Sequence, residues 1–476
     1  MKTISKLYIL PLFAFVLMMG VGFTSCGDDL PKSVESPDLT EITGVKMIVE
    51  SAGNLTVEGK VDEFNKLIRF PRFDADTDFS KVRFELTTKG GGTLAEEYYN
   101  FAFAEGEDSK IIPVKLINNK RFREYNVQVR ILVPLYGADF ERAKVYDFSA
   151  NPAPYGVWPS FSGLLTRSAG FDGKWVAVPS RGTAHVISVD EILTGVEPKE
   201  IPLNLQGVSG GTFVLNGASV VNGHIYMCAL GGTAIPNTYM WTDPTKPPVM
   251  ISQGIVNPTG ISSRLGDTFN LDLDEDGNGY AYYGENNGSG FVRVAITNYS
   301  QMGDAIRIAS PAALGTWSFF THIAGTNNYL ITSLQHGTVY KSDGGAGYST
   351  AIPAGILRPN AGDPRVIDFN GERYLLVTNG VREAAHGSTS ITVYNITDGA
   401  NALEALQKVS TSGNIIQLFD WPLGGTSNAA PGTRAAYKVI KDEAGKDKTL
   451  LLFGAVADSG FAIIEVPIKE ILPDDF

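Results

Sequence analysis

Short runs of alternating apolar and polar residues fill residues 44–135. Residues 45–49, 82–86 and 125–131 are examples in which apolar side chains recur at every second position. This alternation is typical of strands that bury one face and expose the other. About seven such runs in roughly 90 residues predict a small immunoglobulin-like β-sandwich. The segment has no cysteine pair and no tryptophan, so an antibody-type domain is excluded.

A second pattern, in which a turn of Asn, Asp or Gly precedes a strongly apolar strand, recurs through residues 136–476. Asn-Gly and Asp-Gly are typical hairpin turns, because both central residues need a positive φ. Successive turns, at residues 172, 222, 276, 327 and 370, are separated by 50, 54, 51 and 43 residues. A period near 50 with three or four strands per unit is typical of a β-propeller.

The predicted fold class is therefore all-β, with the sandwich followed by a propeller. The repeats predict six blades. Seven blades are the first alternative, because residues 136–162 and 410–432 have room for part of another blade. A single large β-sandwich is the second alternative.

The first 25 residues have the character of an export signal. Lys2 and Lys6 precede an uncharged run over residues 7–23, and a basic start followed by an apolar run is typical of such signals. The run is short for a membrane span and contains Pro and Gly. It ends at Ser25-Cys26, which resembles a bacterial lipobox. This resemblance implies cleavage before Cys26 and diacylation of its thiol, whereas the alternative is an ordinary secreted protein.

The residues after the lipobox, Cys26-Gly27-Asp28-Asp29, resemble the acidic leader of surface lipoproteins of Bacteroidota. Residues 26–43 are polar and predict a lipidated tether. The succession of lipobox, small β domain and Gly-rich propeller with NHL-like turns resembles uncharacterised lipoproteins of this group, which accompany starch-utilisation-type glycan import systems. The resemblance implies an outer-membrane anchor facing the cell exterior, a glycan or glycoconjugate ligand, and an outer-membrane transporter as a partner.

Composition narrows the function classes. Lys and Arg number 39 against 51 Asp and Glu, giving a net charge of −12, which argues against a nucleic-acid binder. Glycine accounts for 52 of 476 residues, about 11%, and this excess fits many tight turns. The two cysteines cannot form a disulfide framework. Cys228 lies in an apolar run and is predicted to be a buried, inert thiol.

Four cationic or titratable side chains stand five residues before predicted turns: Arg167, His322, Arg365 and Lys438. Innermost propeller strands line the central channel. If these side chains align in space, an acidic protein carries a locally basic channel that favours a carboxylate or sulfate group. The alternative is that they pair with neighbouring acids such as Asp363 or Asp368.

Aromatic residues offer a second kind of candidate binding site. Tryptophans are suited to stacking on sugar rings, and the candidates here are Trp158, Trp241 and Trp317. The first two lie in Pro-rich contexts beside a tyrosine, and the third is predicted at the start of an inner strand. Packing in the core is the alternative for each of them.

Three carboxylates suggest a calcium loop. Asp272, Asp274 and Asp276, followed by Gly277, match the first half of the calcium-binding pattern. The bidentate Glu expected at position 12 is replaced by Tyr283, and a hairpin turn explains the same residues. Ca²⁺ is therefore one interpretation and a plain turn the other, and no further cofactor is predicted.

Three common enzyme motifs are missing from the sequence. His-Glu-x-x-His, P-loop and dinucleotide-binding patterns do not occur. The predicted function is a surface lipoprotein whose propeller binds a glycan or glycoconjugate without cleaving it. A propeller lyase or hydrolase that uses His322 and Arg365 is one alternative, and a scaffold for a membrane transporter is another.

Overall fold

The computed structural model describes residues 38–470, apart from 105, 134, 151–165, 197, 311–313, 316, 334–336, 346, 384–386, 426–427 and 429–431. The chain divides into two compact units. The described residues up to 133 form one unit, and Leu135–Glu470 form the other. Within the described residues, no helix is long and apolar enough to cross a membrane.

The first unit is one seven-stranded sheet in the order β4-β1-β2-β3-β7-β6-β5. Its strands are β1 (Glu41–Val49), β2 (Leu55–Asp62), β3 (Leu67–Arg69), β4 (Val82–Lys89), β5 (Thr93–Leu94), β6 (Ser109–Asn118) and β7 (Arg121–Arg130). A 3₁₀ helix, Glu50–Ala52, follows β1. One face of the sheet encloses an apolar core that includes Met47, Phe70, Phe101 and Leu116, all without solvent exposure.

The predicted immunoglobulin-like sandwich is corrected to a single curled, mixed sheet, a half-barrel. The parallel pairing of β3 with β7, in which Ile68 lies opposite Val127, joins the two halves that a sandwich would separate. All other pairings in the sheet are antiparallel. The alternation along each strand indicated correctly that one face is buried. The alternation does not show whether that face packs against a second sheet or is enclosed by the curvature of its own sheet.

The second unit is a propeller of six four-stranded blades, which confirms the predicted number. Blade 1 contains β9 (Gly170–Phe171), β10 (Trp175–Ser180), β11 (Thr183–Ser188) and β12 (Ile201–Pro202). Blade 2 contains β13 (Phe213–Val221), β14 (His224–Leu230), β15 (Thr238–Trp241) and β16 (Val249–Met250). Blade 3 contains β17 (Phe269–Leu273), β18 (Gly279–Gly284), β19 (Gly290–Thr297) and β20 (Gln301–Ala309).

The remaining blades follow the same plan, with one exception in the last. Blade 4 contains β21 (Ser318–His322), β22 (Tyr329–Ser333), β23 (Val339–Ser342) and β24 (Tyr348–Ile352). Blade 5 contains β25 (Ala361–Phe369), β26 (Glu372–Asn379), β27 (Ser390–Asn395) and β28 (Ile416–Pro422). Blade 6 contains β29 (Thr433–Lys441), β30 (Asp447–Val456), β31 (Gly460–Pro467) and, as its outermost strand, β8 (Lys144–Ser149).

Strand β8 closes the ring, because it comes from the start of the propeller and pairs with the last strand of the chain. Ser149 lies opposite Gly460 and Lys144 opposite Glu465 in this antiparallel pair. Phe148 of β8 stacks on Phe461 of β31 at 4.9 Å between ring centroids. In the described parts of the two stretches that left room for a seventh blade, β8 completes blade 6 and β28 is the outer strand of blade 5.

Helices are few in the described part of the propeller. A 3₁₀ helix, Phe140–Arg142, precedes β8. Helix α1 (Val189–Leu193) begins at Ser188, whose hydroxyl accepts a hydrogen bond from the N–H of Glu191. Helix α2 (Ala402–Ser412) is capped by Asn401 and packs its apolar face into the cluster between blades 4 and 5.

Candidate functional site

The inner strands of neighbouring blades contact one another around a closed ring and surround the central channel. Each inner strand runs in the same direction and ends in a tight turn toward the second strand of its blade. Asn222 and Asn370 hold positive φ values of 50° and 46° in two of these turns, which is the conformation that asparagine tolerates best among residues with a side chain. The repeated turns therefore all lie at one end of the channel.

A cavity of about 220 Å³ opens at this turn end. We refer to it as the channel-mouth cavity. Every blade contributes at least one polar side chain to its wall, from the inner strand or from the residue that follows it. In blade order these include Asp172, Asn222, Asp272, His322, Arg365 and Lys438. Three of the four predicted cationic positions, His322, Arg365 and Lys438, are therefore brought together here.

His322 is held between two acceptors. Its Nδ1 contacts the Asp272 carboxylate and its Nε2 contacts the Thr326 carbonyl oxygen. The hydrogen bond to Asp272 raises the pKa of His322 above its usual value. Because both partners accept, both ring nitrogens donate, which is the arrangement of an imidazolium. The pair thus carries a positive ring and a negative carboxylate side by side.

The Lys438 ammonium and the Thr321 hydroxyl are available to a ligand. The exposed Lys438 ammonium makes no hydrogen bond or ion pair with the described residues. The Thr321 hydroxyl is buried in the wall without a hydrogen-bond partner in the described part of the chain. Burial raises the pKa of Tyr437, whose side chain also lines the cavity. Buried polar groups normally have partners, so Thr321 is a position where a bound molecule or water can contribute.

A charged network lies at the inner part of the cavity. Arg365 donates from Nη2 to Oδ1 of Asp363 at 2.8 Å and to Oδ1 of Asn270 at 2.9 Å. Its Nε donates to the Ala435 carbonyl at 3.0 Å. Asp363 is fully buried with φ of 48°, and its Oδ2 accepts the N–H of Ala435 at 2.8 Å. The alternative in which Arg365 pairs with a neighbouring acid is therefore what the structure contains.

Arg434 is the second cation of this network. It is 5% exposed and donates to the Phe269 carbonyl at 2.9 Å and to Oγ of Ser219 at 3.1 Å. Its Nη1 lies 3.6 Å from Asp363 Oδ2. Burial lowers the pKa of Arg434 to about 10, although Asp363 acts in the opposite direction. Two guanidinium groups share one carboxylate, so the network has a positive excess.

Arg167, the fourth predicted cation, lies at the other end of the channel, where the inner strands begin. It lines a small cavity of about 10 Å³ together with Trp317 and Thr433. We refer to this as the strand-start cavity. The Arg167 guanidinium lies 5.2 Å from the Trp317 ring centroid, and Trp317 is 4% exposed. Burial lowers the pKa of Arg167, the neighbouring Arg181 and Arg264 lower it further, and Asp267, which also lines the cavity, acts in the opposite direction.

The remaining predicted site residues have other surroundings. Trp241 is 1% exposed and donates from Nε1 to the Asn204 carbonyl at 2.9 Å, so no face of its ring is free for a sugar. Cys26 and Trp158 lie outside the described residues. Cys228 is fully buried, and burial raises the pKa of its thiol to about 12.

The candidate calcium ligands belong to a hairpin turn. Asp274 Oδ1 accepts the N–H groups of Asp276 at 3.0 Å and Asn278 at 2.8 Å, while Asp272 points to His322. Among the residues that the structure describes, no group of three or more His, Cys, Asp or Glu side chains is placed to hold a metal ion. The turn therefore explains the Asp-rich pattern without a cation.

Sequence reasoning missed Arg434, Tyr437 and Thr321. Strand parity could have found Arg434, because residues 434, 436 and 438 point to the same side of one strand, and all three line the channel-mouth cavity. Asp363 was foreseen only as a partner of arginine. No sequence pattern indicated Thr321, because the lack of a hydrogen-bond partner for its hydroxyl depends on how the surrounding blades pack.

The chain is similar to known proteins in sequence and in structure. The family described as "Domain of unknown function (DUF4623)" matches residues 28–469. No curated protein matches the chain significantly. The crystal structure of a DUF4623 family protein from Bacteroides eggerthii is similar at 32% identity and a TM-score of 0.77, covering 91% of this chain and 99% of that one.

More distant structures are also similar in part. Virginiamycin B lyase from Staphylococcus aureus matches at 10% identity and a TM-score of 0.33, over 69% of this chain and 99% of that one. A GH43_1 enzyme from Xanthomonas citri matches at 13% identity and a TM-score of 0.32, over 54% and 93%. Neither likeness carries information about the site. The family match over residues 28–469 and the similarity to the Bacteroides eggerthii structure show that the chain belongs to the DUF4623 family.

Proposed function

We propose that the propeller binds an acidic glycan or glycoconjugate at the channel-mouth cavity without cleaving it, and that a lipid on Cys26 holds the protein at the outer membrane, facing outward. The observation that carries the binding proposal is the cavity wall, to which all six blades contribute polar side chains. Convergent polar groups in a concave site are the usual basis for recognising a polar small molecule.

Charge favours an acidic ligand over a neutral one. The chain as a whole carries −12, yet the cavity wall has the Lys438 ammonium, the His322 ring and the Arg365–Arg434 pair. The acids of the wall are already engaged. Asp172 accepts the N–H groups of Lys174 at 2.9 Å and Gly223 at 2.5 Å, and Asp272 contacts His322. A carboxylate or sulfate on the ligand would therefore find Lys438 free to bind it.

The same contacts support binding without cleavage. Most glycosidases need two carboxyl groups that act as acid and as base or nucleophile. Asp172 is held by a turn and Asp272 by His322, and this engagement favours binding over cleavage. The volume of about 220 Å³ lies below the ~300–1,000 Å³ of typical ligand pockets. This size suits one sugar residue, such as a chain end, better than a long segment.

A glycan array tests the ligand class. The protein that lacks residues 1–25 and carries Cys26→Ala is expected to bind glycans that bear a uronate or sulfate group. It is not expected to bind their neutral counterparts. Lys438→Met should weaken this binding about tenfold or more, because a hydrogen bond to a charged group contributes ~1.5–3 kcal/mol. Titration of each retained glycan by calorimetry gives the affinities.

The matched control is Lys199→Met, which removes an exposed lysine away from the cavity and should leave the affinity unchanged. Equal retention of neutral and acidic glycans, or equal affinity of the Lys438→Met and unsubstituted proteins, would contradict the proposal. Appearance of cleaved products would establish the enzyme alternative instead.

The membrane anchor has its own test. Cys26→Ala in the full-length chain is expected to move the protein from the membrane fraction to the soluble fraction, because the lipid attachment atom is gone. Metabolic labelling with a tritiated fatty acid should mark the unsubstituted protein and the Cys228→Ala protein, but not Cys26→Ala. Cys228→Ala serves as the control, since the buried thiol at that position is no substrate for acylation. Labelled Cys26→Ala protein would rule out this anchor.

A further inference from the structure

The strand-start cavity contains hydrogen-bond donors that lack acceptors. The Nε of Arg167, the Oγ1 of Thr433 and the Nε of Arg434 are buried and have no hydrogen-bond partner among the described residues. All three residues line this one cavity. Buried donors are almost always paired in folded proteins. Three unpaired donors around one small space therefore indicate an occupant that accepts hydrogen bonds.

The charged side chains around this cavity also carry an excess of positive charge. Asp267 is taken by Arg264, with two contacts at 2.7 and 3.1 Å. Asp363 is shared by Arg365 at 2.8 Å and Arg434 at 3.6 Å. No carboxylate of the described residues forms an ion pair with Arg167. Buried charges normally require a partner, so the remaining positive charge calls for an anion.

We infer that the strand-start cavity binds one monatomic anion, such as chloride, between Arg167, Thr433 and Arg434. The volume of the cavity excludes larger anions. It is about 10 Å³, which is close to the space that a single water molecule needs. A carboxylate, sulfate or phosphate group would not fit. Arg434 also lines the channel-mouth cavity, but the inference does not depend on the proposed glycan binding.

Bromide locates the ion directly. Crystals of the protein grown in sodium bromide are expected to show an anomalous bromine peak in the strand-start cavity, within hydrogen-bonding reach of the three donors. Crystals of Thr433→Val should lose most of this peak, since the substitution removes the hydroxyl and keeps the branched shape. Density that fits a water molecule, with no anomalous signal, would overturn the inference.

Stability measurements give an independent readout in solution. At equal ionic strength, sodium chloride is expected to raise the Tm of the protein by about 2 °C or more relative to sodium gluconate, whose anion is too large for the cavity. The difference between the two salts should disappear in Thr433→Val and in Arg167→Gln. Thr332→Val is the matched control, because that hydroxyl is also buried and unpartnered but does not line this cavity. The same difference in Thr433→Val as in Thr332→Val would overturn the inference.

Discussion

Asp363→Asn is expected to lower the free energy of unfolding of the propeller by about 3–5 kcal/mol, which is the usual cost of removing one partner of a buried ion pair. The carboxylate is fully buried and is shared by Arg365 and Arg434. Without its charge, the buried Arg434 and the partly buried Arg365 lie close together with no anion between them. Asparagine tolerates the positive φ at this position about as well as aspartate, so the substitution mainly tests the charge.

Urea denaturation followed by tryptophan fluorescence measures this loss, because all five tryptophans lie beyond residue 135. Asp368→Asn on the same strand is the control. Its carboxylate is 67% exposed and pairs with Arg373 at 2.8 Å, and exposed pairs contribute ~0–1 kcal/mol. A loss for Asp363→Asn no greater than for Asp368→Asn would mean that the network does not hold the channel together.

Phe148→Ala is the second substitution with a large expected effect, a loss of about 3–5 kcal/mol in the free energy of unfolding. The ring is fully buried and stacks on Phe461, within the core cluster that blade 6 forms with blade 1. Truncation leaves a cavity beneath the strand that closes the ring. The same fluorescence-detected denaturation applies.

Ile416→Ala provides the comparison, since Ile416 is 68% exposed on the outer strand of blade 5. Its loss should stay within about 0.5 kcal/mol, as for most surface substitutions. Limited proteolysis adds a second readout, because weaker closure should make the chain near β8 accessible to protease in Phe148→Ala first. Equal denaturation midpoints and equal cleavage rates for the two variants would show that closure does not depend on this ring.

The blades were predictable because their turns are local. Asn222-Gly223 and Asn370-Gly371 each specify a hairpin through the positive φ that their own residues allow. The apolar run that follows each turn specifies a buried second strand. Repetition of these local signals predicted six units and their order. Pairing between residues far apart in the chain does not enter such an argument, which is why it succeeded.

The fold of the first unit could not be predicted from local sequence signals alone. Strands β3 and β7 are separated by more than fifty residues. The sequence of neither strand indicates that the two pair in parallel. Alternation of apolar and polar residues predicts which face is buried, but a sandwich and a half-barrel bury the same face. The choice between the two folds depends on this one long-range pairing.

The chemistry of the channel was predictable to an intermediate degree. Counting back from the turns brought His322, Arg365 and Lys438 to one cavity. The same count assigned Arg167 to that group, although it lies at the other end of the channel. Inner strand β9 is only two residues long, so residue 167 precedes it instead of lying within it. Side-chain partners such as Asp363 with Arg434 depend on ring geometry and could not be read from spacing.

Ring closure through β8 also sets the order of events during biosynthesis. Residue 149 pairs with residue 460, so the ribosome must release almost the whole propeller before its first strand can find its partner. Until then the apolar edge of blade 1 has no neighbour to cover it, and pairings this distant in sequence form slowly. The final step of propeller folding therefore takes place only after nearly the whole polypeptide has been synthesised.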